Sequence, residues 1–513
     1  MIGVNFLKSL VLFLLLACSA VTAKPPNILF ILADDMGWQD TSVPFTKKRT
    51  KWNDRYKTPA LERLAREGMK FTQAYSCAVC SPTRVSLFTG LNPVRHRVTQ
   101  WTYQSGEKPS SDLDHPTLRH ADWNWNGLQP GGGMPNSVDA PLLPALLKRA
   151  GYKTMHFGKG HLGAAGTPGA DPQAFGFDVR IGGRDAGGCG SFWGTKDFGA
   201  KAHPRGPWRA WDLDHYFGQD IHLTEVLTLE AKIEIRKAVE AREPFFCYFA
   251  HYAPHTPIEP DERFAPAYRK DGLDGNEAAY ASLIEGMDKS VGDLLDLLDE
   301  LRVSDETIVV FTSDNGGLSH SRRTMAPAHT HNSPLSSGKG SHHEGGIRVP
   351  LLVKWPGVAK PYSSKATPVI IYDWFPTILD AAGLIIPETL DGLNLHPLIA
   401  SSTPCCLPFD RPLVWHFPNL WGPLNGPPVT GPGMGPCSAI RMGDWKLVYY
   451  HENQQMELFN LYEDIGETQN LATKEPRKAE ELAGELGKIL RKQNAPMPIV
   501  KSTGLPVPYP NGQ

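Results

Sequence analysis

The sequence predicts an α/β fold: a large, mixed, mostly parallel sheet sandwiched by helices, then a small C-terminal α+β domain containing an antiparallel sheet. Three observations predict it. Nearly continuous apolar runs recur and each stops at a polar cluster, as strands buried on both faces do. Helical segments separate those runs, the alternation expected of a sheet covered on both sides. Past Asp391-Gly392 the chain becomes dense in Pro and Gly, then reads as a hairpin and a terminal helix.

Residues 1–23 read as a signal peptide. Lys8 precedes an apolar run from Ser9 to Ala17, and Val21-Thr22-Ala23 reads as a cleavage site before Lys24. That run is too short to anchor a membrane span, and no later stretch is long and apolar enough. The expectation is export to a periplasmic or extracellular location, with no membrane span. Leu15-Leu16-Ala17-Cys18 also resembles a lipobox, which would instead anchor the chain through Cys18.

Asn27 to Ala33 is the first strand, ending at Asp34-Asp35. Helices are expected over Ala60–Gly68, Leu142–Ala150 and Leu283–Leu301. Phe245 to Ala250 is a strand running into Pro254-His255, and Thr307 to Ser313 another, ending at Asp314-Asn315. Polar groups at the carboxyl ends of strands are where open α/β sheets collect ligands. Gly90 to Pro141, rich in Trp, Gly, Pro and His, and Gly158 to Gly194 read as long irregular loops over a site. Trp445 to Tyr450 belongs to an antiparallel hairpin, and Lys474 to Arg491 to a helix. The main domain is placed at 24–399 and the small one at 400–513.

A chain of 513 residues is long enough for one large core plus a smaller one. Its net charge of -2 excludes a nucleic acid or an anionic membrane surface as the expected partner. An anionic substrate would need a local cluster of cations. Eight cysteines, less Cys18, leave Cys77, Cys80, Cys189, Cys247, Cys405, Cys406 and Cys437. Export permits disulfides, and setting Cys80 aside leaves six that could pair.

Cys80-Ser81-Pro82-Thr83-Arg84 is followed by Val85-Ser86-Leu87-Phe88-Thr89-Gly90. Two acidic pairs, Asp34-Asp35 and Asp314-Asn315-Gly316, sit directly after apolar strands, which lifts them above ordinary turns or caps. Their oxygens are hard donors. Gly158-Lys159-Gly160-His161-Leu162-Gly163, Ala253-Pro254-His255-Thr256-Pro257 and Gly338-Lys339-Gly340 complete the set. Taken together and in this order, these blocks resemble the type I sulfatases of the alkaline phosphatase-like superfamily, over most of the mature chain. The C-x-P-x-R segment alone would be a weak signal.

The resemblance implies hydrolysis of a sulfate monoester. Cys80 would be oxidised to formylglycine, by a formylglycine-generating or anaerobic sulfatase-maturating enzyme acting as partner. The hydrated aldehyde would attack sulfur and later expel sulfate. A calcium ion would be held by Asp34, Asp35, Asp314 and Asn315, with an oxygen on the modified Cys80 side chain. Arg84 would orient the nucleophile, Lys159 would grip sulfate and His161 would assist the diol. His255 would serve the leaving oxygen, and Lys339 a bridging or terminal sulfate oxygen. Gly160 departs from the family, where many members carry Trp. Arg441 to Leu447 and Glu457 to Leu461 resemble the family's small domain, with Asp464, Glu467 and Asn470 as turns and caps. Glu344-Gly345-Gly346 and Arg348 are read as structural.

The expected substrate is a sulfated carbohydrate, a polysaccharide or its oligosaccharides. The alternatives are a phosphonate monoester hydrolase or phosphodiesterase of the same superfamily, and a non-catalytic glycan-binding protein. Cys77-x-x-Cys80 could be a redox pair or half a zinc site. His342-His343 and His329-x-His331 could bind metal, though such loop histidines are more often surface or substrate contacts. Trp101, Trp123 and Trp125 could stack on sugars or pack a loop.

Overall fold

The apolar runs are unbroken because each strand serves two cores. In β1 (Asn27–Ala33), Ile28, Phe30 and Leu32 enter one buried cluster, while Leu29, Ile31 and Ala33 enter the cluster on the other face. Phe246, Tyr248 and Ala250 alternate with Phe245, Cys247 and Phe249 in the same way. A period of two inside a strand covered on both faces leaves no polar position.

The computed structural model describes residues 24–185, 187–204, 206, 208–319, 329–401, 408–424 and 426–511. After β1 come β2 (Met69–Tyr75), β3 (Leu118–Arg119), β4 (Lys153–Gly158), β5 (Val179–Ile181), β6 (Phe245–Ala250), β7 (Thr307–Ser313), β8 (Arg348–Lys354), β9 (Ser363–Lys365) and β10 (Val369–Ile370). The large sheet runs β10-β2-β8-β7-β1-β6-β4-β5, with β9 beside β2. Only β8 runs against its neighbours, β2 and β7, so the sheet is mixed and mostly parallel. β11 (Leu413–Phe417), β12 (Cys437–Met442), β13 (Trp445–Tyr450) and β14 (Met456–Asn460) form an antiparallel sheet in that order. The amphipathic helix Pro476–Lys492 packs Leu482, Leu486 and Leu490 against it. β15 (Ile499–Val500) pairs back onto β3.

Several expectations need correction. The helix expected at 283–301 spans Gly275–Glu300, because Asp274 caps it by accepting from the N–H groups of Asn276 and Glu277. The helices Leu223–Glu240 and Cys80–Thr89 were not foreseen. Cys77, Cys80, Cys189, Cys247 and Cys437 are all buried free thiols, so of the six cysteines that could pair, the four described here form no disulfide with one another. They sit as small apolar groups on separate elements. Cys18, Cys405 and Cys406 lie outside the described residues, as does the 1–23 segment. Trp123 and Trp125 are buried in the core edge to face. Their indoles donate to Asp112 Oδ2 and Gly106 O, pinning the irregular 90–141 segment. Among the described residues no helix is long and apolar enough to cross a membrane.

Candidate active site

Four adjacent parallel strands, β7-β1-β6-β4, deliver their carboxyl ends to one place. β7 leads into Asp314 and Asn315, β1 into Asp34 and Asp35, β6 into the loop carrying His255, and β4 into Lys159 and His161. Cys80 opens the Cys80–Thr89 helix, whose N-terminus offers unpaired N–H groups and the positive end of its dipole. Thr83 Oγ1 donates to Asp314 O at 2.6 Å, tying that helix to the end of β7. Lys339 arrives from the loop before the short helix Glu344–Ile347. All ten residues expected at the site are brought together, and all are buried.

The distances give the site its chemistry. Lys159 Nζ lies 2.7 and 2.8 Å from the two Asp34 oxygens and 3.2 Å from Cys80 Sγ. Lys339 Nζ lies 2.5 Å from Asp35 Oδ1 and 3.3 Å from the same sulfur. Arg84 clamps Asp314 Oδ2 through Nη2 at 2.8 Å and Nε at 3.2 Å, and its Nη1 donates to Lys159 O. Three carboxylates thus face three cations in a water-poor pocket. His255 Nδ1 sits 2.7 Å from Thr256 O, and its Nε2 lies 3.7 Å from Asp35 Oδ2. His161 Nε2 bonds Thr102 O at 2.8 Å, and its Nδ1 has no hydrogen-bond partner among the described residues.

Burial dominates the titration. It pushes Asp34 up to about 8 despite Lys159. Asp35 is lowered because Lys339 and Lys159 together outweigh its burial, and Asp314 because Arg84 and Lys159 do. Burial raises the Cys80 thiol to about 11, against the pull of both lysines. A thiol held there is un-ionised at neutral pH and is a poor nucleophile as it stands. Burial and Lys159 hold His161 well below the usual histidine range, so its ring is neutral.

The donor set fits a hard cation. Asp35 Oδ2 and Asn315 Oδ1 are buried with no hydrogen-bond partner among the described residues, although Asn315 Nδ2 donates to Asp35 Oδ1 at 2.7 Å. Each orphaned oxygen carries a desolvation cost that an ion would relieve. The potential ligand atoms within 4.8 Å of one another belong to Asp34, Asp35, Cys80 and His255. His255 is thus nearer the acidic cluster than the oxygen-only reading anticipated, and Asp314 gives one oxygen to Arg84.

Backbone geometry is specialised here. Asp35 and His161 take left-handed conformations, φ 65° and 55°, uncommon for non-glycine residues. At Gly160 a Cβ would sit 2.3 Å from Arg184 O, so backbone leaves no room for a side chain at this position. Sequence reasoning missed Tyr248, whose hydroxyl lies 3.3 Å from Arg84 Nη1, and Trp208 and Trp421, which line the opening above Cys80. Tyr248 could have been found from its parity on β6. Nothing local marks the two tryptophans. His342 and His343 are buried rather than on the surface, on Cys437 and on Ser336 and Glu457. Glu467 is more than a turn: it is buried and ion-paired with Lys446 at 2.7 Å.

Comparison with known proteins follows this geometry. A family model described as Sulfatase matches residues 26–384, and one described as N-sulphoglucosamine sulphohydrolase, C-terminal, matches 338–495. A sulfatase of Formosa agariphila is 30% identical, over 95% of this chain and 92% of that protein. Human N-acetylgalactosamine-6-sulfatase is 33% identical, over 77% of this chain and 68% of that one. The crystal structure of Ps i-CgsB in complex with k-i-k-neocarrahexaose superposes with a TM-score of 0.69 and 27% identity, covering 91% of this chain and 93% of the other. A phosphonate monoester hydrolase of Agrobacterium radiobacter, at 20% identity and a TM-score of 0.59, shares the fold.

Proposed function

The chain belongs to the sulfatase family, and from that premise we propose that it releases sulfate from a sulfated polysaccharide or oligosaccharide through an oxidised Cys80. The observation carrying this reading is Cys80 Sγ at a helix N-terminus, within 3.2 and 3.3 Å of two lysine ammonium groups. Carboxylates and an amide oxygen suited to a cation lie beneath it. The carbohydrate class is supported by a relative described as N-acetylgalactosamine-6-sulfatase and by a neighbour solved with k-i-k-neocarrahexaose.

Asp34, Asp35, Asp314 and Asn315, with an oxygen on the modified Cys80 side chain, would hold calcium, which would polarise sulfate oxygens and lower the pKa of the nucleophile. Formylglycine at Cys80 would supply an aldehyde whose hydrate offers an oxygen nucleophile in place of an inert thiol. The chain's own groups do the rest. His161, neutral and held through Nε2 on Thr102 O, presents Nδ1 as the acceptor for a proton from the nucleophile. His255, with Nδ1 on Thr256 O, gives a proton from Nε2 to the leaving oxygen. Lys159 and Lys339 offset charge on the sulfate oxygens, and Arg84 fixes the helix bearing the nucleophile against Asp314. The division at about residue 400 into a main and a small domain is part of the same reading, with the antiparallel sheet walling the site.

The test is sulfate release, followed by ion chromatography, from protein coexpressed with a maturation enzyme. Sulfated oligosaccharides should turn over far faster than a phosphodiester. The reverse order would reassign the chain to phosphorus chemistry. Peptide mass spectrometry should find Cys80 as formylglycine in the active fraction, and activity with only unmodified cysteine would refute the mechanism.

A further inference from the structure

Resting on the sulfate-ester reading above, we propose that Asn332 is a positioning residue, whose buried carboxamide sets the spacing between the three segments that carry Asp35, Asn315 and Lys339. Asn332 is 2% exposed and belongs to no strand or helix. Its backbone is left-handed, φ 51°, a conformation that Asn adopts more readily than most residues. Three glycines show what its side chain touches. A Cβ on Gly37 would sit 2.5 Å from Asn332 Oδ1, one on Gly317 2.9 Å from the same oxygen, and one on Gly338 2.8 Å from Nδ2. Gly37 comes two residues after Asp35, beyond β1. Gly317 comes two after Asn315, beyond β7, and Gly338 directly precedes Lys339. One amide therefore fills the space that three side chains would need, and packs three loops from separate parts of the chain against a single group.

Hydrogen bonds fix the orientation of that amide. The Gly317 N–H donates to Asn332 Oδ1 at 2.9 Å, and Asn332 Nδ2 donates to Gly317 O at 2.8 Å and to Ser337 O at 3.1 Å. Both Nδ2 hydrogens are used, and a reversed amide would set donor against donor at Gly317. The Lys339 N–H donates to the same Gly317 carbonyl at 3.1 Å. The segment bearing Asn332 is also tied to the Asp35 side. Thr330 Oγ1 donates to Asp40 Oδ2 at 2.7 Å, and that oxygen accepts from the Gly37 N–H at 2.9 Å and the Tyr280 hydroxyl at 2.7 Å.

The groups these loops deliver meet within hydrogen-bond distance. Lys339 Nζ lies 2.5 Å and Asn315 Nδ2 2.7 Å from the one oxygen Asp35 Oδ1, and Lys339 Nζ lies 3.3 Å from Cys80 Sγ. Every hydrogen bond of the Asn332 side chain goes to backbone, so its influence reaches Asn315 and Lys339 through the main chain. Groups that orient ligand and charge-bearing side chains are typically worth about 10- to 100-fold in metal affinity or activity.

The experiment compares wild type, Asn332→Ala, Lys339→Ala and the double variant, with urea unfolding used to choose conditions in which each is folded. Calorimetric titration of chelator-treated protein with calcium chloride should show Asn332→Ala binding roughly 10- to 100-fold more weakly. At saturating calcium, Asn332→Ala should lower kcat/KM of the matured enzyme on 4-nitrophenyl sulfate by roughly the same factor. In the Lys339→Ala background the same change should cost little more than about twofold, because a group acting through Lys339 has nothing left to position. A merely structural amide would lower the urea midpoint but leave calcium affinity unchanged and give losses that multiply. Either of those two results overturns the proposal. Asn332→Ser takes the place of Asn332→Ala should the latter not fold, and failure of both to fold would also overturn it. If the matured wild type releases no sulfate from any ester, the sulfate-ester reading falls, while the calcium titration still decides whether Asn332 positions the acidic loops.

Discussion

Two buried ion clusters lie in this molecule, and they differ in what they leave unfinished. One gathers Asp34, Asp35 and Asp314 with Lys159, Lys339 and Arg84 at the strand ends. The other places Lys446 Nζ 2.9 Å from Glu344 and 2.7 Å from Glu467, where β13 of the antiparallel sheet meets the segment leading into β8. Glu344 also accepts from the Tyr75 hydroxyl at 2.7 Å and from Arg348, and its own N–H donates to Glu467 at 2.6 Å. Burial alone would raise Glu344, but Lys446, Arg348 and Arg441 outweigh it and hold it at about 2. The first cluster opens onto a cavity and keeps two orphaned oxygens. The second, among the described pockets, has no cavity and joins two sheets. Equal burial therefore has different settings: the strand-end cluster faces a cavity, whereas the inter-sheet cluster faces none among the described pockets, and its one oxygen without a hydrogen-bond partner, Glu467 Oε1, is ion-paired with Lys446 at 2.7 Å.

That contrast can be broken most forcefully at Cys80. Cys80→Ala should lower kcat by at least about 10³-fold, as loss of a nucleophile does, while thermal unfolding stays near wild type. A large stability loss would put Cys80 with the second kind of cluster. His255→Ala should come next. On a sugar sulfate, whose alcohol is a poor leaving group, the expected loss is about 10²–10⁴-fold. On 4-nitrophenyl sulfate it should be far smaller. Equal losses on both substrates would leave His255 a binding or structural role.

The inter-sheet cluster should show the opposite signature. Lys446→Met leaves Glu344 and Glu467 buried without their shared cation. Breaking such a pair typically costs about 3–5 kcal/mol. Urea unfolding should register that loss, while kcat of the folded protein on the aryl sulfate changes little. The smallest expected effect is calcium binding to chelator-treated protein. At 100 times its Kd a ligand adds about 2.7 kcal/mol of stability, visible as a rise in Tm, and Asn315→Ala should blunt that rise. Elemental analysis finding one zinc and neither calcium nor magnesium would contradict the oxygen-donor assignment.

How much of this was legible depended on how far apart the partners lie. β1, β6 and β7 announced themselves because a doubly buried strand is apolar throughout, and the polar residues just past them, Asp34-Asp35, His255 and Asp314-Asn315, marked the site. Capping by Asp274 is a local signal, yet the polar first turns of that helix hid its start. The helix at Leu223–Glu240 mixes Glu and Lys with its apolar face and was passed over. Glu344 and Lys446 are 102 residues apart in sequence, so no window could reveal that Glu467 and Lys446 finish a charge cluster. Trp123 and Trp125 looked as eligible for a sugar as Trp101, because composition cannot tell a loop that packs inward from one that faces a substrate.

The register of the central strand has a consequence in time. β1 holds its place between β6 and β7, with Asn27 beside Thr307 and Ala33 beside Ser313. The β7 side of the site, with Asp314 and Asn315, is therefore completed only after Ser313 has been made, about 230 residues beyond Cys80. At about 5–20 residues per second, that interval lasts roughly 10–50 s. On the maturation proposed above, a modifying enzyme would have that interval to reach Cys80 before the sheet closes over it. Afterwards it is the first residue of a buried helix, 3% exposed. If Cys80 is matured as proposed, the topology would act as a clock on that step, and any treatment that hastens closure of the sheet before the oxidising enzyme arrives should lower the active fraction without lowering the yield of folded protein.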